Sequence, residues 1–542
     1  MALSLFKKNP KPAKVKVPKP VPQSSAAEGT LFRLDLTPIV AQLPDFSDKT
    51  RIDVRYPLTP PYAYAHIYWD AQSDELVYVV EEPALSADEM KVFKILEDSI
   101  REIINISMIN VPNTDVVIEY LEKNLKILIS EFKLKVSNET FLKIMYYIYR
   151  NFVGMNEIDP LLNDYFIEDV ECNGVNTPIY IIHRKYRNIC TNLIYKDTKV
   201  LTNFVEKLAQ KCGKYISYAN PLLDGRLPSG DRVNATYTQD ISSKGPTFTI
   251  RKFTKEPWTP VKLMEFGTVS PEILAYLWLL IEYEANLIVI GGTGSGKTSF
   301  LNSIAFFIPP AARIVSIEDT KELNLLHENW LPSVARAGMG ATSITGERHG
   351  EVSLFDLLRE SFRQRPDYVI VGEIRGQEAF VLFQGAASGH PTMSTMHAES
   401  VDTMIRRLET KPINLSPALV ETLDIVCVMI ETKVRGRSVR RLKEVVEIVE
   451  VREEVGHAVT NTPFVRDPAK DLFYFKTDSR VFDKISRQHG ISKEELYKDF
   501  KNRSDFLMAM YNHKIFGFKE VQEMIHAYYK NPKAMLRQFD II

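Results

Sequence analysis

The spacing of apolar positions changes several times along this chain, and each change marks a new kind of element. Near residues 66–83 the runs HIYWD and ELVYVVEEP alternate apolar and polar positions, the period-two pattern of half-buried strands. Helical spacing follows over 87–108, 113–133 and 137–152. Across 159–252, β-like runs such as PIYIIHRKY and PTFTIRKF alternate with turn-rich pieces such as DGRLPSGDR. These patterns predict two α+β domains, 31–155 and 156–252. The charged, proline-bearing FTKEPWTP then reads as a linker or hinge over 253–262. From 263 to 455 helices and strands alternate: helix 270–284, strand 287–290, helix 298–307, strand 313–317, helix 353–364, strand 368–371, helix 376–388 and strand 392–396. Such alternation predicts an α/β domain with a mainly parallel sheet. VCVMIETKV and LKEVVEIVEV, joined by a turn at 435–437, read as a closing hairpin. The remainder, 456–542, is helical in pattern from about 479 and reads as a C-terminal extension.

Composition narrows the class. A chain of 542 residues exceeds what one core can organise. With 45% hydrophobic and 25% charged residues it has ordinary globular proportions. The formal net charge of −1 argues against a protein built to bind nucleic acid. Cys172, Cys190, Cys212 and Cys427 are scattered without metal or disulfide spacing, which fits a reducing cytoplasm. No uninterrupted apolar run of about 18 residues is present. Ile273–Ile290 is the most apolar region, but it carries Glu282 and Glu284 and reads as core. The start MALSLFKKNPK lacks an apolar signal core, so any membrane role is expected to be peripheral. Residues 7–22 hold six lysines and five prolines, a composition that cannot form a core. Within a predicted flexible tail over 1–30, that stretch reads as an electrostatic tether to an anionic surface or as a solvated segment.

The chemistry concentrates after residue 286. GGTGSGKT, residues 291–298, directly follows the apolar run Leu287–Ile290 and precedes a helical pattern. This is the P-loop arrangement. Its glycines let backbone N–H groups close around phosphate oxygens. Gly292, Thr293, Gly294, Ser295, Gly296, Lys297, Thr298 and Ser299 are therefore the candidate ATP-binding residues. Lys297 is suited to the β/γ-phosphates and the Thr298 hydroxyl to Mg²⁺. The positive end of the following helix points at the same anion.

Hydrolysis also needs carboxylates and positive charge around the γ-phosphate. RIVSIEDTKEL ends a predicted strand in Glu318 and Asp319, which reads as a water-polarising site or as an acidic turn. RPDYVIVGEIRG ends another in Glu373, followed by Arg375; this is the Walker B position, where Glu373 can hold the water shell of Mg²⁺ or act as a base. SGHPTMSTMHAES carries His390 and His397, of which His397 closes a further strand and reads as a sensor of the γ-phosphate or as a structural histidine. Arg226, Arg232 and Arg251 lie before the linker and read either as surface ion pairs or as arginine fingers.

GGTGSGKTSFLN, RIVSIEDTKEL, LLRESFRQRPDYVIVGEIRGQEA and SGHPTMSTMHAES, in that order, resemble the Walker A, Asp box, Walker B and His box of the secretion ATPase superfamily. That superfamily powers type II and type IV secretion, type IV pili and the archaeal flagellum. IDPLLNDYFIEDVECNG and PLLDGRLPSGDRVN are similar to its second N-terminal domain, so the resemblance covers about 155–435. PLTPPYAYAHIYWD and the C-terminal helices ending YYKNP resemble the archaeal branch, nearest to archaellum motor ATPases. The tetracysteine zinc element of many bacterial type II members has no counterpart here, which favours the archaeal or retraction-type branches.

The resemblance implies a RecA-like P-loop ATPase domain behind α+β N-terminal domains, assembled as a homohexamer with ATP and Mg²⁺ held between the two parts of a subunit. It implies that Glu318 and Glu373 are the catalytic and Mg²⁺-associated carboxylates, Thr298 and Glu373 the metal-associated residues, and His397 the His-box residue. It makes Arg226, Arg232 and Arg251 candidate γ-phosphate contacts. The implied partners are a polytopic membrane platform protein and accessory motor proteins, at the inner face of the cell membrane. An adhesive-pilus or secretion ATPase is the alternative within the family. A nucleic-acid motor needs a basic strand-tracking groove, against which the neutral charge weighs. A non-hydrolysing ring scaffold is disfavoured by the acidic strand ends.

Overall fold

The computed structural model describes residues 32–35, 39–44, 48–103, 114–253, 256–336, 338, 349–434, 437–452 and 457–542. The Lys/Pro-rich tail, residues 254–255 of the predicted hinge and residues 435–436 of the hairpin turn lie outside the described residues. The chain divides into two units, Met1–Phe253 and Thr254–Ile542.

In the N-terminal unit, β1 (Asp53–Thr59), β2 (Ala63–Asp70) and β3 (Glu75–Glu81) form an antiparallel meander. Their inward residues, among them Val54, Tyr56, Ala65, Ile67, Tyr78 and Val80, are buried, as period-two alternation requires. The later strands are β4 (Ile167–Cys172), β5 (Pro178–His183), β6 (Arg187–Ile194), β7 (Leu222–Arg226), β8 (Arg232–Thr236) and β9 (Thr247–Arg251). All nine belong to one sheet, in the order β1-β2-β3-β6-β5-β4-β9-β8-β7. The junction is the parallel pairing of β3 with β6, through Val77 with Cys190 and Tyr78 with Thr191.

The sequence reading separates domains at 155/156; here the sheet and a single buried cluster running from Phe32 to Ile250 cross that point. The physical reason is that β3 would otherwise leave an unpaired edge beside β6. A buried polar contact reinforces the junction. Tyr56 and Tyr78 both donate to the Asp164 carboxylate at 2.7 Å, and all three side chains are buried. Helices Ala87–Ile103, Thr114–Glu131, Asn138–Phe152 and Thr198–Lys211 supply Leu96, Leu121, Ile144 and Phe204 to the same cluster.

The C-terminal unit holds β10 (Leu287–Gly291), β11 (Ile314–Glu318), β12 (Trp330–Val334), β13 (Tyr368–Ile374), β14 (Thr392–His397), β15 (Ile425–Val434), β16 (Arg437–Val451), β17 (Ala458–Asp467) and β18 (Leu472–Phe475). They form a second nine-stranded sheet, ordered β12-β11-β13-β14-β10-β15-β16-β17-β18. The six strands from β12 to β15 are parallel, and β16 to β18 continue as an antiparallel edge. This is the mainly parallel α/β sheet that the alternation predicts. Alternate residues feed opposite cores: Leu287 and Val289 face one, Ile288 and Ile290 the other. The short β12, interrupted by Pro332, is an edge strand that the apolar pattern does not reveal.

The predicted C-terminal extension is continuous with this unit. β17 pairs with β16. The helices Arg480–His489, Lys493–Asn512, Phe518–Lys530 and Pro532–Gln538 cover one face of the sheet. Phe482 packs on Tyr276 at 5.3 Å between ring centroids, and Tyr528 on Trp278 at 5.0 Å. Among the described residues no helix is long and apolar enough to cross a membrane.

Candidate functional site

β10 ends in Gly291, and the chain turns through Gly292–Gly296 into the helix Lys297–Ile304. Gly294 and Gly296 have φ of 72° and 89°, the left-handed region that a side chain disfavours. Gly291 lies against the Met429 carbonyl of β15, where a Cβ would collide with backbone. The Gly292 carbonyl accepts from the Ser295 hydroxyl at 2.8 Å and from Lys297 Nζ at 2.9 Å. Ser295 and Lys297 are buried, while Thr293 and Ser299 are exposed and Thr298 is half-buried. The loop thus folds around the Lys297 ammonium at the C-terminal end of the parallel strands, the end at which open α/β sheets bind ligands.

Three more residues named by the sequence converge on the same sheet end. His397, the last residue of β14, places Nδ1 3.5 Å from Lys297 Nζ and Nε2 3.1 Å from a Glu373 carboxylate oxygen. β14 lies between β10 and β13, so pairing alone sets His397 between the lysine and the glutamate. The pattern ends this strand in Glu373; β13 runs one residue further, and Glu373 lies within a register irregularity between Val371 and Ile374. Such irregularities re-aim side chains. Glu373 also binds Arg375, whose guanidinium lies 3.9 Å from Asp319.

Glu318 closes β11 and is buried, at 2% exposure. It accepts the backbone N–H groups of Glu322 and Leu323 at 2.8 and 2.9 Å. A Cβ at Gly372 would press on the Glu318 side chain at 3.0 Å, so the glycine leaves room for it. His390 stands apart from these four, packed edge-on against Phe362 at 5.0 Å.

Burial and charge tune the set. Burial pulls the Lys297 ammonium below its usual range, opposed by the nearby Glu373 and Glu322 carboxylates. His397 is also held low, by burial first and then by Lys297, against the pull of Glu373. The Arg375 guanidinium is pushed up by its hydrogen bond to Glu373. A buried cation with depressed basicity gains most when an anion arrives.

The residues also suit a hard cation bound with phosphates. The hydroxyl of Thr298 and the carboxylates of Glu318 and Glu373 offer oxygen donors only. Among the described residues no group of three His, Cys, Asp or Glu side chains is close enough to hold a metal alone. Mg²⁺ takes one or two protein ligands and completes its shell with phosphate and water.

In the N-terminal unit the three arginines form a row. Arg226 is registered opposite Arg232 across β7 and β8, and Arg232 opposite Arg251 across β8 and β9. Directly opposed residues project from the same sheet face, and like charges there repel. Asp224 pairs with Arg232 at 3.2 Å and Asp169 with Arg251 at 3.0 Å. The sequence names these residues without showing that they stand side by side.

Two contacts escape the sequence pattern. Arg407 donates to the His397 carbonyl, and Arg440 Nε donates to the Gly294 carbonyl at 3.1 Å. The first follows from the helix Val401–Glu409 folding back on β14; the second requires the β15–β16 pairing.

Known proteins bear on this arrangement. Residues 155–458 match the family described as Type II/IV secretion system protein. An uncharacterized protein of Methanocaldococcus jannaschii is 37% identical over 402 residues, covering 73% of this chain and 72% of its own length. The type IV secretion system protein PtlH homolog of Bordetella bronchiseptica is 31% identical over 264 residues, covering 43% of this chain and 76% of its own. The X-ray structure of the Legionella pneumophila ATPase DotB aligns with a TM-score of 0.39 at 17% identity, covering 70% of this chain and 96% of that one.

Proposed function

Because the chain belongs to the Type II/IV secretion system protein family, we propose that it is a Mg-ATP-hydrolysing motor for a membrane-bound secretion or filament machine. The observation that carries this reading is the convergence of Lys297, His397 and Glu373 at the mouth of the glycine loop. A phosphate cradle, a cation, an imidazole and a carboxylate stand there in one line of contacts.

In this reading the backbone of Gly292–Gly296 and the Lys297 ammonium hold the β- and γ-phosphates. Thr298 and Glu373 would hold Mg²⁺, which would supply neutralisation of phosphate charge. Glu318 or Glu373 takes the proton of the attacking water. His397, whose protonation burial and Lys297 disfavour, lies between Lys297 and Glu373 and reports the γ-phosphate to β14. The arginine row supports the family expectation that Arg226, Arg232 or Arg251 contacts the γ-phosphate, since three aligned guanidinium groups gain from a polyanion.

The finer reading is a cytoplasmic homohexamer, peripherally attached to the inner face of the membrane. It drives assembly or rotation of an archaellum through a polytopic platform protein and accessory motor proteins. The extensive likeness to a Methanocaldococcus protein supports the archaeal branch. The likeness to a type IV secretion protein keeps the alternative, an adhesive-pilus or secretion ATPase.

Two experiments test this. Phosphate release by the purified chain should require Mg²⁺ and disappear in Lys297→Ala; full activity in that variant would sink the P-loop assignment. Affinity capture of the tagged chain from mildly solubilised membranes should recover a platform protein. Archaellum components would fix the motility role, and adhesive pilins would move it to attachment.

A further inference from the structure

The glycine loop works only if its N–H groups converge, yet a run of glycines has little intrinsic reason to hold one arrangement. One peptide of this loop is held from outside. Arg440 lies on β16, registered opposite Glu431 of β15, on the hairpin that continues beyond Met429. Met429 is itself the residue of β15 that pairs with Gly291, so the hairpin flanks the loop. From there Arg440 Nε donates to the Gly294 carbonyl at 3.1 Å. Its stem runs past Gly296, where an added Cβ would meet Arg440 Cγ at 3.5 Å.

A trans peptide points its C=O and its N–H in opposite directions. With the Gly294 carbonyl turned out to Arg440, the Ser295 N–H of the same peptide is turned inward. It lies on the side of the Gly292 carbonyl, with which it makes a long 3.4 Å contact and to which Lys297 also donates. That inward side is where a phosphate oxygen would be received.

We propose that Arg440 is a positioning residue for nucleotide binding: from the β15–β16 hairpin it holds the Gly294–Ser295 peptide so that the Ser295 N–H faces the bound phosphates. The inference rests on the nucleotide reading of the loop and adds a residue that the P-loop motif does not contain. It also gives the hairpin a task beyond closing the sheet, because any displacement of the hairpin is passed to the loop through one side chain.

The test uses the atom that makes the contact. A glutamine Nε2 occupies the chain position of arginine Nε, so Arg440→Gln keeps a donor there without charge. Arg440→Lys keeps the charge but has a methylene at that position. Arg440→Met keeps only an apolar stem. Binding of a fluorescent ATP analogue and of ADP is titrated for the full chain and the three variants, alongside Mg-ATP kinetics.

The expected result is about tenfold weaker binding and a correspondingly higher KM in Arg440→Met and Arg440→Lys, the effect of losing one hydrogen bond to a charged donor. Arg440→Gln should lie near the wild type, and kcat at saturating ATP should change little in all three. Rescue by lysine but not glutamine would overturn the positioning role in favour of simple charge attraction. Unchanged affinity in Arg440→Met would overturn it outright. A wild-type chain that binds no nucleotide would remove the underlying reading and this inference together; wild-type binding with an indifferent methionine variant removes the inference alone.

Discussion

Glu373 accepts from Arg375 on one carboxylate oxygen and has the His397 imidazole 3.1 Å from the other, so its charge faces both a cation and a ring that lies 3.5 Å from Lys297. Glu373→Gln keeps the shape and removes that charge. Nucleotide should still bind, because the glycine loop and Lys297 remain, while turnover should fall by roughly 10²–10⁴, the usual worth of a positioned base. Phosphate release beside a nucleotide titration separates the two effects; wild-type turnover would exclude Glu373 from the chemistry. The residues at this scale that the sequence discloses are those at or just beyond the end of an apolar strand: Lys297, Glu318, Glu373 and His397. Each is placed by local pattern plus the rule that parallel strands end at one edge. Arg440 gives no such signal, being 146 residues from its loop partner and brought there only by sheet pairing.

At the scale of elements, Glu447 shows how β16 anchors the helix Arg480–His489. Its carboxylate is fully buried and accepts from Tyr276 at 2.6 Å, Asn461 at 2.6 Å and the Arg480 N–H at 2.8 Å, with Ser479 close by. Glu447→Ala removes the buried acceptor that Tyr276, Asn461 and the Arg480 N–H share, leaving Tyr276 with Ser479 and Asn461 with the Asp478 carbonyl, at a cost of about 3 kcal/mol. A clear drop in the thermal midpoint should follow, and an unchanged one would mean that the site refills with water.

A second junction is sensitive to pH. His526, on the helix Phe518–Lys530, packs against His327 at 5.5 Å. Burial, reinforced by His327 and Lys530, lowers it from 6.5 to about 4. Between those values the unfolded chain binds a proton that the folded chain refuses, so stability falls as pH drops through that window and is unaffected above it. His526→Gln should flatten part of the slope between pH 7 and pH 5 in thermal melts. His327, also held low by burial, should supply what remains. An identical slope in the variant would rule this histidine out. A histidine pair of this kind is invisible in sequence, because His327 lies in the connection between β11 and β12 and His526 on a helix far along the chain.

For the molecule as a whole, periodicity reveals the parallel α/β sheet well, since its strands are continuous apolar runs between helices. It is weaker on where a unit stops, because boundaries depend on what packs against what. The pattern near 155 and near 455 changes character, yet β3 pairs with β6 across the first point and β17 with β16 across the second. The C-terminal helices show the consequence. Phe482, Phe506, Tyr528 and Leu536 cover Tyr276, Trp278 and Phe306, all buried in one cluster. A chain ending at residue 478 would expose several aromatic side chains, each worth about 150–250 Å² of buried surface. That exceeds the few hundred Å² of contiguous apolar patch that monomeric soluble proteins tolerate. A removable extension would leave a soluble unit with a cooperative melt; a structural cover would not. The truncated chain should therefore aggregate or melt without cooperativity, and size-exclusion chromatography with calorimetry decides the matter. A well-behaved, nucleotide-binding truncation would show that the helices are an accessory after all and that the core closes without them.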